Sequence, residues 1–253
     1  PEGCDAVVPV EKSSGYEAID GRVDFDDSCA IGANIRPRGS VRTRGDVLLA
    51  RGARLHPGAI GVLAQQGSAQ VPVVRRPRVA VLPTGDEVVE IDELPNEGQV
   101  RNSNAYALAA QIEAAGGSAE RLSILRDVEA ETLARLRDAL VSHDLVCTIG
   151  GVSMGTRDLV RAAFAELGGR AIVESTKIKP GKPTLFGAVE IDGRERYLLG
   201  LPGNPASSFT IFELFGAPWI RASLGLPRDA CLQRCAAPLT SGSVRANWRL
   251  QLV

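Results

Sequence analysis

Residues 144–169, DLVCTIGGVSMGTRDLVRAAFAELGG, carry the reading that decides the fold. Leu145–Ile149 is an unbroken apolar run, as expected of a strand buried on both faces. Gly150, Gly151 and Gly155 then punctuate a loop in which backbone can approach a ligand closely. Asp158–Leu167 reads as a helix that stops at Gly168-Gly169. The loop amides and the start of that helix suit an oxyanion or phosphate. Ser153 and Thr156 add hydroxyls, and Asp158 suits either a divalent cation or a helix cap. The stretch is neither a P-loop nor a dinucleotide fingerprint.

The same strand, loop, helix order recurs on both sides. Arg78–Leu82 (RVAVL) is a buried-type strand. Asn104–Ala115 is a helix, with Asn102, Ser103 or Asn104 available to cap it and Gly116-Gly117 to end it. Leu122–Leu125 is expected to be a strand. Glu129–Val141 is an amphipathic helix with Leu133, Leu136 and Leu140 at helical spacing. Ala171–Val173 is a strand, and TLFGAVEIDGRERYLLG (184–200) is a hairpin turning at Asp192-Gly193. A helix follows from Pro205 to Phe215. The fold class is therefore α/β, a mostly parallel sheet covered by helices on both faces, and its ligands are expected beyond the carboxyl ends of the strands.

Before this lies a region expected to be β-rich and irregular. Val7-Val8, Ala30-Ile31 and Val47-Leu48-Leu49 are short apolar pieces between Gly, Pro and charged residues. One helix is expected near Pro57–Gln66, with Pro57 at its start and Gly67 as its stop. VPVVRRP (71–77) reads as a short strand and a Pro-bounded linker, placing a boundary near Arg76. Pro227–Val253 contains strand-like pieces such as RANWRLQLV. Three regions result: 1–76, 77–225 and 226–253. The only methionine is Met154, so the chain is expected to be part of a longer one.

Composition narrows the function classes. The chain has 253 residues, 44% hydrophobic and 23% charged, with a net charge of −1. That excludes a disordered chain and gives no support to a strongly charged nucleic-acid or membrane-surface binder. No apolar run approaches the ~18 residues of a membrane span. Cys4, Cys29, Cys147, Cys231 and Cys235 form no Cys-x-x-Cys pair, and the only histidines are His56 and His143. This speaks against a zinc finger and a disulfide framework, and for a reduced, cytoplasmic protein. So few histidines also make a Ser-His-Asp enzyme a poor reading.

Of 29 basic residues only 4 are lysines, and Lys177, Lys179 and Lys182 fall within six residues. Rigidly held lysines repel one another unless they face an anion, and Pro180, Gly181 and Pro183 make their loop stiff and tight. A tetrahedral oxyanion between Lys179 and Lys182 would relieve the repulsion. Two further loops complete a set of four. Pro83-Thr84-Gly85-Asp86-Glu87 offers two adjacent carboxylates, for a metal ion, a nucleophile or an ordinary solvated turn. Gly200-Leu201-Pro202-Gly203-Asn204-Pro205 opens a helix at which Asn204 can cap and an anion can bind. The arginine-rich stretch Arg36–Arg44 suits an anionic substrate, a solvated surface or a subunit contact equally.

These residues resemble one known family, the molybdopterin molybdenumtransferases, called MoeA in bacteria and represented in eukaryotes by the E domain of gephyrin. The matching pieces are PEGCDAVVPVE, NIRPRG, GDVLLARGARLHPGAIGVLAQQG, RVAVLPTGDEVVE, VRNSNAYALAAQIEAAGG, DLVCTIGGVSMGTRDLV, IKPGKP and GLPGNPASS, in the family's order. The resemblance implies an enzyme of molybdenum cofactor biosynthesis. Such an enzyme inserts molybdate into adenylylated molybdopterin and releases AMP, with Mg²⁺ or a similar ion assisting, as a homodimer. It implies that residues 1–76 are parts of two N-terminal domains and that 77–225 is the molybdopterin-binding domain. Residues 226–253 would open a truncated C-terminal β-domain.

Residue by residue, the resemblance implies catalytic roles for Asp86, Glu87, Asp127, Asp158, Lys179 and Lys182, with Glu87 and Asp158 holding the metal. Thr84, Gly85, Gly150, Gly151, Ser153, Pro180, Gly181, Pro202, Gly203 and Asn204 would contact substrate. Two positions depart from the family's pattern. Ser40-Val41 stands where Glu-Asp is usual after Arg-Pro-Arg-Gly, and Ser175 where a lysine often precedes Lys179 by four. A degenerate pterin-binding or scaffold paralogue, and an adenylyltransferase of the preceding step, are the alternative readings.

Overall fold

The computed structural model of the chain describes residues 3–14, 22–25, 28–151, 158–232 and 250–251. It divides into two compact units, Pro1–Ala69 and Gln70–Val253.

Among its described residues the first unit holds turns, a short 3-10 helix (Val10–Lys12) and one α-helix. Val7 N–H donates to Ala33 O (3.0 Å), and Asn34 Nδ2 donates back to Val7 O (2.8 Å). Helix α1 (Pro57–Gln65) has proline in its first turn, and His56 Nδ1 accepts the Ala59 N–H at 3.3 Å. The expected β-rich character reduces, among the described residues, to an isolated bridge between Ser13 and Phe25. The apolar pieces are too short and too widely separated to bury one face of a sheet, and Val7, Ile31 and Val47 remain exposed.

The second unit holds ten short or medium strands among its described residues. They are β1 (Arg78–Pro83), β2 (Val88–Val89), β3 (Val100–Arg101), β4 (Ser118–Arg121), β5 (Leu145–Ile149), β6 (Arg170–Val173), β7 (Ile178–Lys179), β8 (Leu185–Ile191), β9 (Arg194–Leu201) and β10 (Leu250–Gln251). Its helices are α2 (Ser103–Ala115), α3 (Glu129–Ser142), α4 (Leu159–Glu166), α5 (Pro205–Ile211), α6 (Ala217–Ser223) and α7 (Arg228–Cys231). The main sheet runs β4-β1-β5-β9-β8-β6. The first four strands are parallel, while β8 is antiparallel to β9 and β6 to β8. Alternation along β1 and β5 sends Val79, Val81, Cys147 and Ile149 to one face and Ala80, Leu82 and Val146 to the other. The first set packs with Leu108, Ile112, Phe212 and Ile220; the second with Leu136, Leu140, Val160 and Phe164. The result is three layers, with α2, α5 and α6 on one face and α3 and α4 on the other.

The hairpin turns at Asp192-Gly193 with both residues at positive φ (51° and 70°), the conformation of a two-residue type I′ loop. Two local expectations are corrected. The strand expected at Leu122–Leu125 lies at Ser118–Arg121. The chain enters the sheet directly after Gly117, as an edge strand whose polar residues need pair on one side only; Leu125 is buried beyond it and forms a single bridge to Thr84. The helix expected to end at Phe215 continues through a π-helical segment, Phe212–Gly216, into α6. Pro218 has no N–H to close an i→i−4 bond, and the wider turn lies just before it. The two compact units divide after Ala69, seven residues before the boundary expected from the sequence near Arg76. Arg75 belongs to the second unit through two hydrogen bonds to Asp144, both 2.9 Å. Most of the region expected to open a C-terminal β-domain lies outside the described residues.

The amino-terminal edge of the sheet is closed by charge. Asp144 also accepts from Arg196 Nη1 (3.0 Å) and from the Arg78 N–H (2.7 Å). Partial burial pushes the Asp144 carboxyl up, but Arg75, the Arg78 amide and Arg196 outweigh it and hold it below its ordinary value. Beside it, buried His143 places Nε2 3.0 Å from Glu120 Oε2, and this contact, more than Arg78, lowers the Glu120 carboxyl. Groups lowered on folding contribute stability above the ordinary carboxylate range, about pH 4, and lose it as pH falls. Asp144→Asn is expected to cost about 1–3 kcal/mol at neutral pH in urea unfolding. It should also flatten the decline of stability below about pH 5.

Candidate functional site

The register of the main sheet gathers the loops of interest at one edge. Leu82 pairs with Thr148, Thr148 with Gly200, and Gly200 with Leu185. Loops leave this row after β1, β5 and β9, and the lysine loop enters it before β8. At 4.7–4.9 Å per strand the row is roughly 14 Å wide. Leu125 bridges Thr84, so Arg126 and Asp127 lie at the same edge. The helices reached from β1 and β5, α2 and α4, cover opposite faces. Such a divergence opens a crevice between adjacent strands in an α/β sheet.

Thr84 joins the loops on the two sides of that crevice. It is buried; its N–H and hydroxyl both lie within hydrogen-bond distance of Ile149 O, at 3.0 and 3.1 Å. Gly150 packs against it so closely that a Cβ there would lie 2.9 Å from Thr84 Oγ1 and 3.1 Å from Thr84 O, at φ +88°. A Cβ on Gly151 would come 2.8 Å from Val160 Cγ2. Gly150 N–H donates to Leu201 O (2.9 Å), which ties this loop to β9 as well.

The acidic loop is exposed at its carboxylates and fixed through its backbone. Arg126 Nη1 donates to the carbonyls of Gly85, Asp86 and Val88 at 3.2–3.4 Å. Asp86 Oδ1 accepts the Asp127 N–H (3.3 Å). The Glu87 carboxylate folds over Gly85, where an added Cβ would meet Oε2 at 2.5 Å. Arg126 was not singled out from the sequence, although its place beside Asp127 was the available signal.

The lysine loop is braced from beneath. Thr176 and Thr184 hydroxyls both donate to Gly181 O at 2.8 Å, and the Thr176 N–H donates to Lys182 O at 3.1 Å. Gly181 is buried against Ile211, with no room for a Cβ, and the Lys179-Pro180 peptide is cis. Lys177, Lys179 and Lys182 are exposed. In the fourth loop Asn204 Oδ1 caps α5 by accepting the Ser207 N–H (3.1 Å), and Asn104 Nδ2 donates to Gly203 O (2.8 Å). Pro202 is buried beside it.

Asp158 is the N-cap of α4. Its Oδ1 accepts the Arg161 N–H (2.9 Å) and its Oδ2 accepts from Arg161 Nε (3.0 Å). The cap is therefore the role these bonds give it. Among the described residues no three His, Cys, Asp or Glu side chains converge to hold a metal. Ser153 and Thr156 lie outside the described residues.

Comparison with known proteins gives the same outline. Residues 80–222 match the family model described as a probable molybdopterin binding domain, and residues 1–67 match the MoeA N-terminal region, domains I and II. The chain is 33% identical over 231 residues to the molybdopterin molybdenumtransferase of Staphylococcus aureus (strain MSSA476), covering 89% of this chain and 52% of that protein. It is 34% identical over 237 residues to that of Bacillus subtilis (strain 168), covering 92% and 54%. Among solved structures, a molybdopterin biosynthesis MoeA protein from Pyrococcus horikosii superposes with a TM-score of 0.69 at 31% identity, over 89% of this chain and 54% of that one. The chain spans about half the length of the curated relatives it matches.

The contrast between two site glycines makes the packing testable. Gly150→Ala meets both Thr84 and a left-handed backbone, and is expected to cost about 1–3 kcal/mol in thermal or urea unfolding. Gly203→Ala, with nothing within 4 Å of its Cβ, should stay within about 0.5 kcal/mol of the parent.

Proposed function

The chain belongs to the molybdopterin-binding domain family, preceded by a MoeA N-terminal region, and from that premise we propose that it serves molybdenum cofactor biosynthesis as a molybdopterin molybdenumtransferase. Its substrates in this reading are adenylylated molybdopterin and molybdate. In this reading the dithiolene thiols would displace oxygens of molybdate, which leave as water, and water would cleave the phosphoanhydride, releasing AMP and leaving the phosphate on the pterin. The observation that carries the reading is the single row Leu82–Thr148–Gly200–Leu185, which brings carboxylates, glycine-rich amides and lysines to one edge of the sheet.

Each group has a task suited to its chemistry. Molybdate is a tetrahedral dianion, for which Lys179 and Lys182 on a braced loop are fitting donors. The close backbone of Gly150 and Gly151 and the capped start of α5 at Asn204 suit the phosphates and pterin. Asp86, Glu87 and Asp127 supply the acidic side of the crevice. Positioning and charge stabilisation are then the main sources of rate, with little proton transfer by side chains.

Mg²⁺ is commonly held by one or two carboxylates together with substrate phosphates. Exposed Glu87 fits that donor set; Asp158 would first have to release Arg161. When bound, the ion would polarise the phosphoanhydride. The reading also carries a homodimer and a cytoplasmic location, both resting on the family resemblance. No helix among the described residues is long and apolar enough to cross a membrane.

The deciding experiment is AMP release from adenylylated molybdopterin by the full-length protein, with and without molybdate and Mg²⁺. Molybdate-dependent release is expected; tight pterin binding without release would point instead to a degenerate binder. Lys179→Ala with Lys182→Ala should lower molybdate-dependent release by about 100-fold or more while pterin binding persists. Full activity in that variant would sink the lysine assignment.

A further inference from the structure

Arg126 holds one side of the acidic loop; the other side is held by three residues that the proposed chemistry does not use. After Glu87 the chain forms β2, and ten residues later returns as β3. Val100 N–H donates to Glu87 O and Asn102 N–H to Val89 O, both at 2.8 Å. The excursion between them has little burial to anchor it, since Ile91 is 47% and Leu94 86% exposed. Its return point is fixed by hydrogen bonds instead: these two, one from Arg101 Nε to Ile91 O (3.2 Å), and those of a buried asparagine.

Asn102 is the unusual residue. It occupies the N-cap of α2, where an asparagine ordinarily accepts a hydrogen bond from the first free N–H groups of the helix. Here its side chain makes no cap bond. It is 4% exposed, and its amide donates instead to Glu90 Oε1 at 3.1 Å. Tyr106, four residues on and therefore on the same face of the helix, donates its hydroxyl to Glu90 Oε2 at 3.3 Å. Both oxygens of Glu90 are thus engaged by the first turns of α2, where the helix dipole favours a carboxylate. The Arg121 guanidinium carbon lies 3.7 Å from the Tyr106 ring centroid and holds the ring in place.

We propose that Glu90, Asn102 and Tyr106 are positioning residues: a latch that ties the Asp86-Glu87 loop to α2 and sets where its carboxylates stand. The inference rests on the reading of Asp86 and Glu87 as working carboxylates. Such groups must be held within about 0.5 Å to act. Glu87 is bonded through its own carbonyl to Val100, two residues from Asn102, so slippage at the latch moves Glu87 directly.

Two substitutions separate the latch from helix stability. Asn102→Ser removes the amide but leaves a residue able to cap α2. Tyr106→Phe removes the hydroxyl and keeps the ring beneath Arg121. Hydrogen exchange on the chain itself should show the Val100 and Asn102 amides exchanging about tenfold faster in the double variant, with β1 and β5 unchanged. In the full-length protein, kcat for AMP release should fall about 10–100-fold, with KM for adenylylated molybdopterin unchanged. Unaltered exchange at Val100 and Asn102 overturns the latch whatever the activity. Faster exchange with an unchanged kcat overturns its positioning role. If the parent protein releases no AMP at all, the functional reading fails separately, and exchange alone decides the latch.

Discussion

Everything at the candidate site depends on backbone register across the middle of the sheet. Leu82, Thr148, Gly200 and Leu185 are paired in one row by main-chain hydrogen bonds. Parallel pairing brings the ends of β1, β5 and β9 to the same height. The lysine loop joins them for the opposite reason: β8 runs antiparallel to β9, so its beginning lies where the others end. A parallel β8 would have carried Lys179 and Lys182 to the far edge, away from the carboxylates of the β1 loop.

The two edges of the sheet use charge differently. At the amino-terminal edge Arg75, Arg78 and Arg196 surround Asp144 and Glu120, and His143 completes the set. These pairs hold strand starts and helix ends together. At the carboxyl-terminal edge the carboxylates of Asp86 and Glu87 and the lysine amines are exposed, while their backbone is held by other groups: the side chains of Thr84, Thr176, Thr184 and Asn104, and the Arg126 guanidinium that grips the carbonyls of the acidic loop. Charged groups left facing solvent on a firmly held backbone are free to meet a ligand of opposite charge. Asp158 is the exception, since Arg161 already neutralises it.

Much of the architecture was legible along the chain. Apolar runs marked β1 and β5, helical spacing marked α3, and Asp192-Gly193 marked the hairpin turn. What misled was apolar content without topology. Leu122–Leu125 looked like a strand because it is the more hydrophobic half of its segment, yet the sheet takes the polar half, Ser118–Arg121, as its edge. The short apolar pieces before Ala69 suggested strands, yet among the described residues they find a single isolated bridge. Of the site, the four loops were visible in composition. Arg126, and the use of Asn102 on Glu90 in place of a helix cap, were not.

The sequence by itself determined which segments turn, which cap and which are buried, because those properties depend on neighbours within a few residues. Asn204 capping α5 is of this kind; for Asp158 the sequence left a cap and a cation site open, and the structure gives the cap. Tertiary structure alone decided which edge received the lysines, that Thr84 would close on Gly150, and that Asn102 would serve Glu90 across the β2–β3 excursion. Each of those outcomes requires a partner brought from elsewhere in the chain by strand pairing, and no local pattern records where a pairing will place it.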